Sequence, residues 1–208
     1  CEYSLKKYKN VEVTPLIQSE LRDLGIYYRR PDPLASTEFT LTRFLVPYIK
    51  HYSGWALFCD SDFLFVHDVN ELFELVDNTK AVMCVKHDYE PKTDIKMDGK
   101  IQHRLPRKNW SSLILYNCSH PANKKLTPLL VNNMSPSYLH QFRWLPDNLI
   151  GRLSIEWNYL VGYYKGMRPK AIHFTDGGPW LENYKDVKYA NLWNSEYELY
   201  RQQAESVQ

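Results

Sequence analysis

No apolar run in this chain of 208 residues approaches the ~20 residues a membrane-spanning helix needs. The longest runs, Trp55 to Cys59 and Phe63 to Val66, have the length of buried strands. An excess of charge is lacking too: 26 basic residues against 24 acidic ones leave +2. Affinity for nucleic acid usually rests on a large basic excess, so this balance argues against a dedicated nucleic-acid binder. Cys1, Cys59, Cys84 and Cys118 form no CxxC pair. Three of them sit in apolar runs, which points to reduced core thiols in a cytoplasmic protein. There is no internal repeat, low-complexity tract or linker, so residues 1–208 read as one domain. A chain of this length buries ~70% of its unfolded surface and needs no disulfide or metal to fold.

The composition that is present is globular, with 44% hydrophobic and 24% charged residues, which argues against disorder. Aromatic residues reach 14%. They fill a core or stack on sugars and bases. The opening residues Tyr3, Leu5 and Tyr8 interleave with Glu2, Lys6 and Lys7, like the tail of an amphipathic helix that begins upstream. Next come an alternating, strand-like Val11 to Leu16 and a short helix, Ile17 to Leu24, ended by Gly25. A Pro-rich loop spans Tyr27 to Leu34. Thr37 to Tyr48 has a helical period, with Pro47 kinking or closing its last turn.

Strands are expected at Trp55–Cys59, Ala81–Val85, Leu113–Tyr116, Ile155–Tyr164 and Ala171–Phe174. Helices are expected at Val69–Val76, Pro121–Asn132 and Ser195–Ser206. Asp68 and Glu71 form a capping-box-like start for the first of these. Alternation of strands and helices predicts an α/β fold with a mostly parallel twisted sheet flanked by helices.

Two segments carry chemistry. Asp60-Ser61-Asp62 follows an apolar strand. Two carboxylates there are costly unless a cation meets them, and ligands of α/β sheets bind beyond the carboxyl ends of strands. Oxygen donors suit Mg²⁺ or Mn²⁺, shared with a bound diphosphate. The alternative is a turn that uses Asp for capping. Further on, His173 ends a short apolar strand and precedes Gly177-Gly178. That pattern offers an imidazole ligand, which suits Mn²⁺, and a backbone able to approach phosphate. A lone histidine is otherwise a structural one.

Together these segments resemble the GT-A glycosyltransferases, especially the glycogenin-like family 8 and its bacterial relatives. The likeness covers most of the chain in order. Ala35 to Phe44 resembles the helix whose arginine, here Arg43, contacts the donor. Asp60-Ser61-Asp62 resembles the DxD motif. Asn109-Trp110-Ser111-Ser112 through Asn117 resembles the segment that lines the donor sugar. Leu145-Pro146-Asp147-Asn148 resembles the family's acidic pair, Ile155 to Tyr159 its Trp-Asn strand, and His173 to Gly177 its metal histidine.

The resemblance implies a GT-A fold whose first strand would precede Cys1. It implies a retaining hexosyltransferase that uses Mn²⁺ or Mg²⁺, a nucleotide-diphosphate sugar donor and a saccharide or glycan acceptor. Asp60, Asp62 and His173 would hold the metal. Arg43, Asp60, Ser61, Asn109, Ser111, Ser112, Gly177 and Gly178 would contact the donor. Asp147, Asn148 and Arg43 would serve catalysis, Asp147 as nucleophile or as electrostatic stabiliser. The chain departs from the family where a phosphate-binding lysine would precede Pro179-Trp180: Gly178 stands there. Arg43, Lys170 and the Lys86–Lys108 segment are the replacement cations to weigh. Two other classes stay open: a non-catalytic carbohydrate- or nucleotide-binding relative, and a nucleotidyltransferase on a similar sheet.

Overall fold

The computed structural model describes residues 1–30, 40–88 and 106–206. The short helices α1 (Glu2–Lys6) and α2 (Gln18–Asp23) come first. Gly25 closes α2 at φ +68°, the left-handed C′ position that glycine fills at least cost. A 3₁₀ turn at Thr42–Leu45 runs into α3 (Val46–Ile49). Strands β1 (Trp55–Cys59) and β2 (Phe63–Phe65) are separated by three residues, and α4 (Asn70–Glu74) leads to β3 (Val82–Cys84). A 3₁₀ turn at Trp110–Ser112 launches β4 (Leu113–Asn117), and α5 (Pro128–Asn133) and α6 (Pro136–His140) follow. The chain ends with β5 (Ile150–Arg152), β6 (Tyr159–Leu160), β7 (Ala171–His173) and the long α7 (Ala190–Ser206).

The strands build two sheets, in the orders β1-β4-β3-β5 and β2-β7-β6. The α/β class holds, but among the described residues the sheets are mixed and not mostly parallel: β1/β4, β3/β4 and β2/β7 are antiparallel, and β3/β5 and β6/β7 are parallel. The sequence could not separate these cases. A strand covered on both faces reads as a continuous apolar run whatever the direction of its neighbours, and all five residues of β4 are buried.

One face of the larger sheet presents Val82, Cys84, Ile114 and Tyr116 to Phe44, Leu45, Val131, Phe142 and Trp144. The other presents Met83, Leu113 and Leu115 to Phe63, Phe65, Leu72 and Trp157. Each such large apolar side chain contributes about 1.5–3 kcal/mol by leaving water. The far face of the smaller sheet has a modest core of its own, Leu64, Ile172 and Phe174 against Val161, with Trp193 of α7 packed on it.

Four local expectations change. Val11 to Leu16 takes no regular secondary structure and joins no ladder among the described residues: Pro15 has no N–H to give, and the alternation reports only that Val11 and Val13 lean on the core. The helical period of Thr37 to Tyr48 becomes a 3₁₀ turn and a four-residue helix, with Pro47 in the helix's first turn, where a missing N–H costs nothing; residues 31–39 lie outside the described ones. Pro121 to Asn132 breaks into a 3₁₀ turn and α5. Thr127 stands before Pro128, which disfavours helical backbone, and its side chain caps α5 by accepting from Leu130 N. Ile155 to Tyr164 is 3₁₀ at Ile155–Asn158 before it turns into the two-residue β6.

Candidate active site

The Asp-Ser-Asp tripeptide is the step from one sheet to the other. Asp60 N–H donates to Ser112 O at 2.9 Å, which extends the β1/β4 pairing one step past Cys59 opposite Leu113. Two residues later, Asp62 O accepts from Phe174 N at 3.1 Å and opens the β2/β7 ladder, in which Phe63 faces His173. Ser61 is the exposed spacer between them. One donor atom from each of Asp60, Asp62 and His173 lies within 4.8 Å of the others. The histidine is buried, stacked on Phe63 with ring centroids 4.3 Å apart. The carboxylate side chains keep 21% and 26% of their surface open.

His173 is oriented from behind. Ser112 Oγ donates to Asn109 O at 2.8 Å and accepts from Asn158 Nδ2 at 2.9 Å. That fixes the amide so that Asn158 Oδ1, 2.9 Å away, meets His173 Nδ1. An amide oxygen only accepts, so Nδ1 carries a proton there. Nε2 then faces Asp62 Oδ2 at 3.4 Å, across a gap that calls for a proton or a cation. Asn158 is completely buried.

Arg43 comes from the 3₁₀ turn before α3 and is buried. Its Nε donates to Thr40 O and its Nη1 to Ser111 O, both at 2.7 Å. The guanidinium then straddles Asp60, with Nη1 3.2 Å from Oδ2 and Nη2 2.8 Å from Oδ1. Only the first contact has hydrogen-bond geometry. Asp60 Oδ1 and Asp62 Oδ1 are both buried without a hydrogen-bond partner. Burial pushes the Asp60 carboxyl above the usual range; Arg43 opposes the rise, and the charge on Asp62 adds to it. Burial pushes Asp62 up as well, but His173 outweighs it by its charge and hydrogen bond, and the carboxyl lies below the usual range.

The Asn109–Ser112 segment is tied to the same place. Asn109 sits at φ +60°, and its Nδ2 donates to Thr175 Oγ1 at 3.0 Å, two residues beyond His173. Ser111 Oγ meets His140 Nδ1 at 2.7 Å. The hydroxyls of Ser111 and Ser112 are therefore engaged within the protein.

Other expected residues lie elsewhere. Asp147 opens a 3₁₀ turn and does not cap it. Its side chain is 80% exposed and pairs with Arg107 Nη2 at 2.5 Å, so its contact is with Arg107 and not with the Asp-Asp-His cluster. Asn148 O accepts from Lys80 Nζ at 3.1 Å. The space over Gly177, at φ +141°, is taken by the Tyr184 ring, and the space over Gly178 by the Trp180 indole, 2.0 Å from where a Cβ would stand. Both glycines have a packing reason.

Lys170 is held by Glu71 at 2.6 Å over the face of Trp157, and Lys86 donates to Ile150 O. Arg43 is the expected cation found at the carboxylates; Lys92, Lys96, His103 and Arg104 lie outside the described residues. Glu71 does not complete a capping box. It pairs with His67 and Lys170, while Asp68 Oδ1 accepts from Asn70 N.

His87 belongs to the Lys86–Lys108 segment. It is buried, with Nδ1 2.7 Å from Tyr164 OH. Burial, with the nearby His173 adding to it, pulls its pKa down to about 3. The signal available in the sequence was a polar residue, His87 or Asn158, beside an apolar run.

The chain matches no protein-family model. It is 47% identical over 211 residues to Protein CDI of Arabidopsis thaliana, an alignment that covers 98% of this chain and 82% of that protein. Its fold is similar to that of the bifunctional glycosyltransferase WbbM in its apo structure, with a TM-score of 0.56 and 15% identity, over 79% of this chain and 36% of WbbM. It is also similar to the glycosyltransferase GlyE of Streptococcus pneumoniae TIGR4, with a TM-score of 0.51 and 13% identity, over 88% of this chain and 51% of GlyE. The chain thus spans about a third and about half of these two proteins. At such identities the likeness is one of fold, and the fold is the GT-A-like one. No helix among the described residues is long and apolar enough to cross a membrane.

Proposed function

The chain belongs to the family of Protein CDI, and from that premise we propose that it is a metal-dependent glycosyltransferase. In this reading residues 1–208 act as one catalytic domain that moves a sugar from a nucleotide-diphosphate donor to a saccharide acceptor. The observation that carries it is the Asp60–Asp62–His173 cluster, with two buried carboxylate oxygens that lack hydrogen bonds and a histidine whose Nε2 is aimed among them. Two oxygen donors and an imidazole suit Mn²⁺ better than Mg²⁺. The bound ion would supply positive charge against the donor's diphosphate.

The remaining work falls to the chain. Asn158 holds the His173 ring and its tautomer. Arg43 offers a guanidinium fork that can bind phosphate as it binds Asp60. Ser61 and Asn109 face the donor, while Ser111, Ser112, Gly177 and Gly178 set the backbone around it. Asp147, with Asn148 beside it, favours positive charge at the anomeric carbon, its carboxylate positioned by Arg107. Retention of configuration and hexosyl transfer follow from the family resemblance. The four free cysteines support the cytoplasm as the compartment.

Thermal stabilisation by UDP, GDP, CDP and ADP, each with and without Mn²⁺, tests the reading. A nucleotide at ~100 times its dissociation constant adds ~2.7 kcal/mol. The expected result is a Mn²⁺-dependent shift with one nucleotide, lost in Asp62→Asn; no shift with any of them refutes the donor site. A second reading, a binding relative without turnover, is favoured by the pairing of Asp147 with Arg107. It predicts the same shift with no hydrolysis or transfer of the matching nucleotide sugar.

A further inference from the structure

Asn158 is completely buried, so each of its hydrogen-bonding sites needs a partner within the protein. Its amide offers two N–H donors and an oxygen with two lone pairs. Ser112 Oγ takes one hydrogen of Nδ2 at 2.9 Å, and Asn109 O lies 3.4 Å from the same nitrogen. His173 Nδ1 donates to Oδ1 at 2.9 Å. One lone pair of the oxygen is left over.

His87 meets this side chain. Its ring hydrogen-bonds to Asn158 in the sense that favours a proton on the imidazole, so the histidine donates and Oδ1 accepts. Nδ1 of His87 is engaged by Tyr164 OH at 2.7 Å, which leaves Nε2 as the nitrogen turned to Asn158. A neutral imidazole carries one N–H. With that proton on Nε2, Nδ1 accepts and the Tyr164 phenol donates. Burial holds the phenol above its usual range and so keeps its proton in place. The amide oxygen is thus reached by two imidazoles, one on either side.

His87 is itself well fixed. Trp110 Nε1 donates to His87 O at 2.9 Å, and Trp110 opens the 3₁₀ turn that also carries Ser112. The Tyr164 ring lies over the imidazole, with centroids 5.8 Å apart and planes 23° from parallel. Tyr164 O accepts from Tyr159 OH, a residue of β6, which pairs with the strand of His173. Ser112 sets which way the amide points, and His87 sets where its oxygen rests. An oxygen held by two donors cannot swing toward either, and the His173 ring is held with it.

We propose that His87 is a positioning residue for His173: it pins the Asn158 oxygen so that His173 Nε2 stays aimed at Asp62 and at a cation bound between them. The cation rests on the metal-dependent reading of the cluster; the hold on the His173 ring rests on the hydrogen bonds alone. The test compares wild type with His87→Phe, His87→Gln and Tyr164→Phe in the intact protein. Nitrogen-15 NMR of the metal-free protein reads the His173 Nδ1 proton, calorimetry with Mn²⁺ alone reads the site, and urea denaturation reads stability.

The expected result for His87→Phe is Mn²⁺ affinity lowered about tenfold and loss of the His173 Nδ1–H signal to exchange with water. His87→Gln, whose amide N–H replaces the lost donor, recovers most of both. Tyr164→Phe shifts both in the same direction by less. Lower stability with wild-type Mn²⁺ affinity and an intact His173 signal overturns the proposal, because His87 then only fills space. So does a glutamine variant no better than the phenylalanine one. If His87→Phe does not fold, Tyr164→Phe decides, and wild-type behaviour there overturns the proposal. If wild type binds no Mn²⁺, the metal-dependent reading fails and the NMR signal decides by itself: loss in His87→Phe with return in His87→Gln supports the positioning role, and persistence overturns it.

Discussion

The four-stranded sheet is buried on both faces, by the helices before β1 and after β4 on one side and by the smaller sheet on the other. The three-stranded sheet has strands of two or three residues and on its far face only a small core and α7. Yet each gives to the candidate site: Asp60 leaves the larger sheet, and Asp62 and His173 belong to the smaller. The two aspartates accordingly differ. Asp60 is locked to the larger sheet by Ser112 and by Arg43 and takes part in holding the fold. Asp62 has, like Asp60, a buried oxygen with no hydrogen-bond partner, but it is paired with a histidine instead of an arginine. Asp60 thus serves both the fold and the cluster, and Asp62, one serine on, serves the cluster.

The comparison can be broken most directly at Asp62. Asp62→Asn is expected to lower metal-dependent turnover by more than ~100-fold, since even groups that only orient ligands cost ~10–100-fold. Its urea midpoint without metal stays near wild type. A large loss of stability would erase the distinction from Asp60.

Asp60→Asn is expected to lower stability as well as metal-dependent turnover. It leaves the buried Arg43 charge unpaired and costs about 3–5 kcal/mol, read from urea denaturation without metal. Asn158→Ala sharpens the case for orientation across the seam: Mn²⁺ affinity, measured by calorimetry, falls ~10–100-fold although no metal ligand is removed.

The smallest effect is in pH. His87, next to the larger sheet, reaches Tyr164, just beyond the smaller one. The unfolded chain binds this proton near pH 6.5, the folded chain only near 3. Between those values the unfolded state holds more protons, so stability falls as pH falls and is flat above the window. Between pH 7 and pH 5 the expected loss is about 2 kcal/mol, and His87→Gln removes that part of the dependence in urea midpoints.

The strands were legible because β1, β3, β4 and β7 are apolar runs of strand length, and the DxD and His173 were legible because charge at the end of such a run is anomalous. Arg43 came through the family resemblance. What stayed hidden was pairing. Nothing local in Phe63–Phe65 or Ala171–His173 says that they run antiparallel, yet that register alone sets His173 against Asp62. Asn158 was misplaced in a strand because Trp157, Tyr159 and Leu160 swamp the polar signal. The partner of Asp147, Arg107, lies 40 residues away in sequence, beyond the reach of spacing arguments. The rings of Tyr184 and Trp180 packed over Gly177 and Gly178 were not legible either.

The single serine between the aspartates also bears on how this chain can change in length. Side chains alternate along a strand, so one residue added between Asp60 and Phe63 would slip β2 against β7 and turn Phe63 and Phe65 away from the core they fill, sending Leu64 in their place. An insertion here would damage folding before it touched catalysis. The turn between Lys125 and Pro128, which carries no ladder, has no such restriction. Drift in length is thus penalised at the cluster by mechanics alone, and the two-residue spacing of the carboxylates is inherited with the register of the sheet.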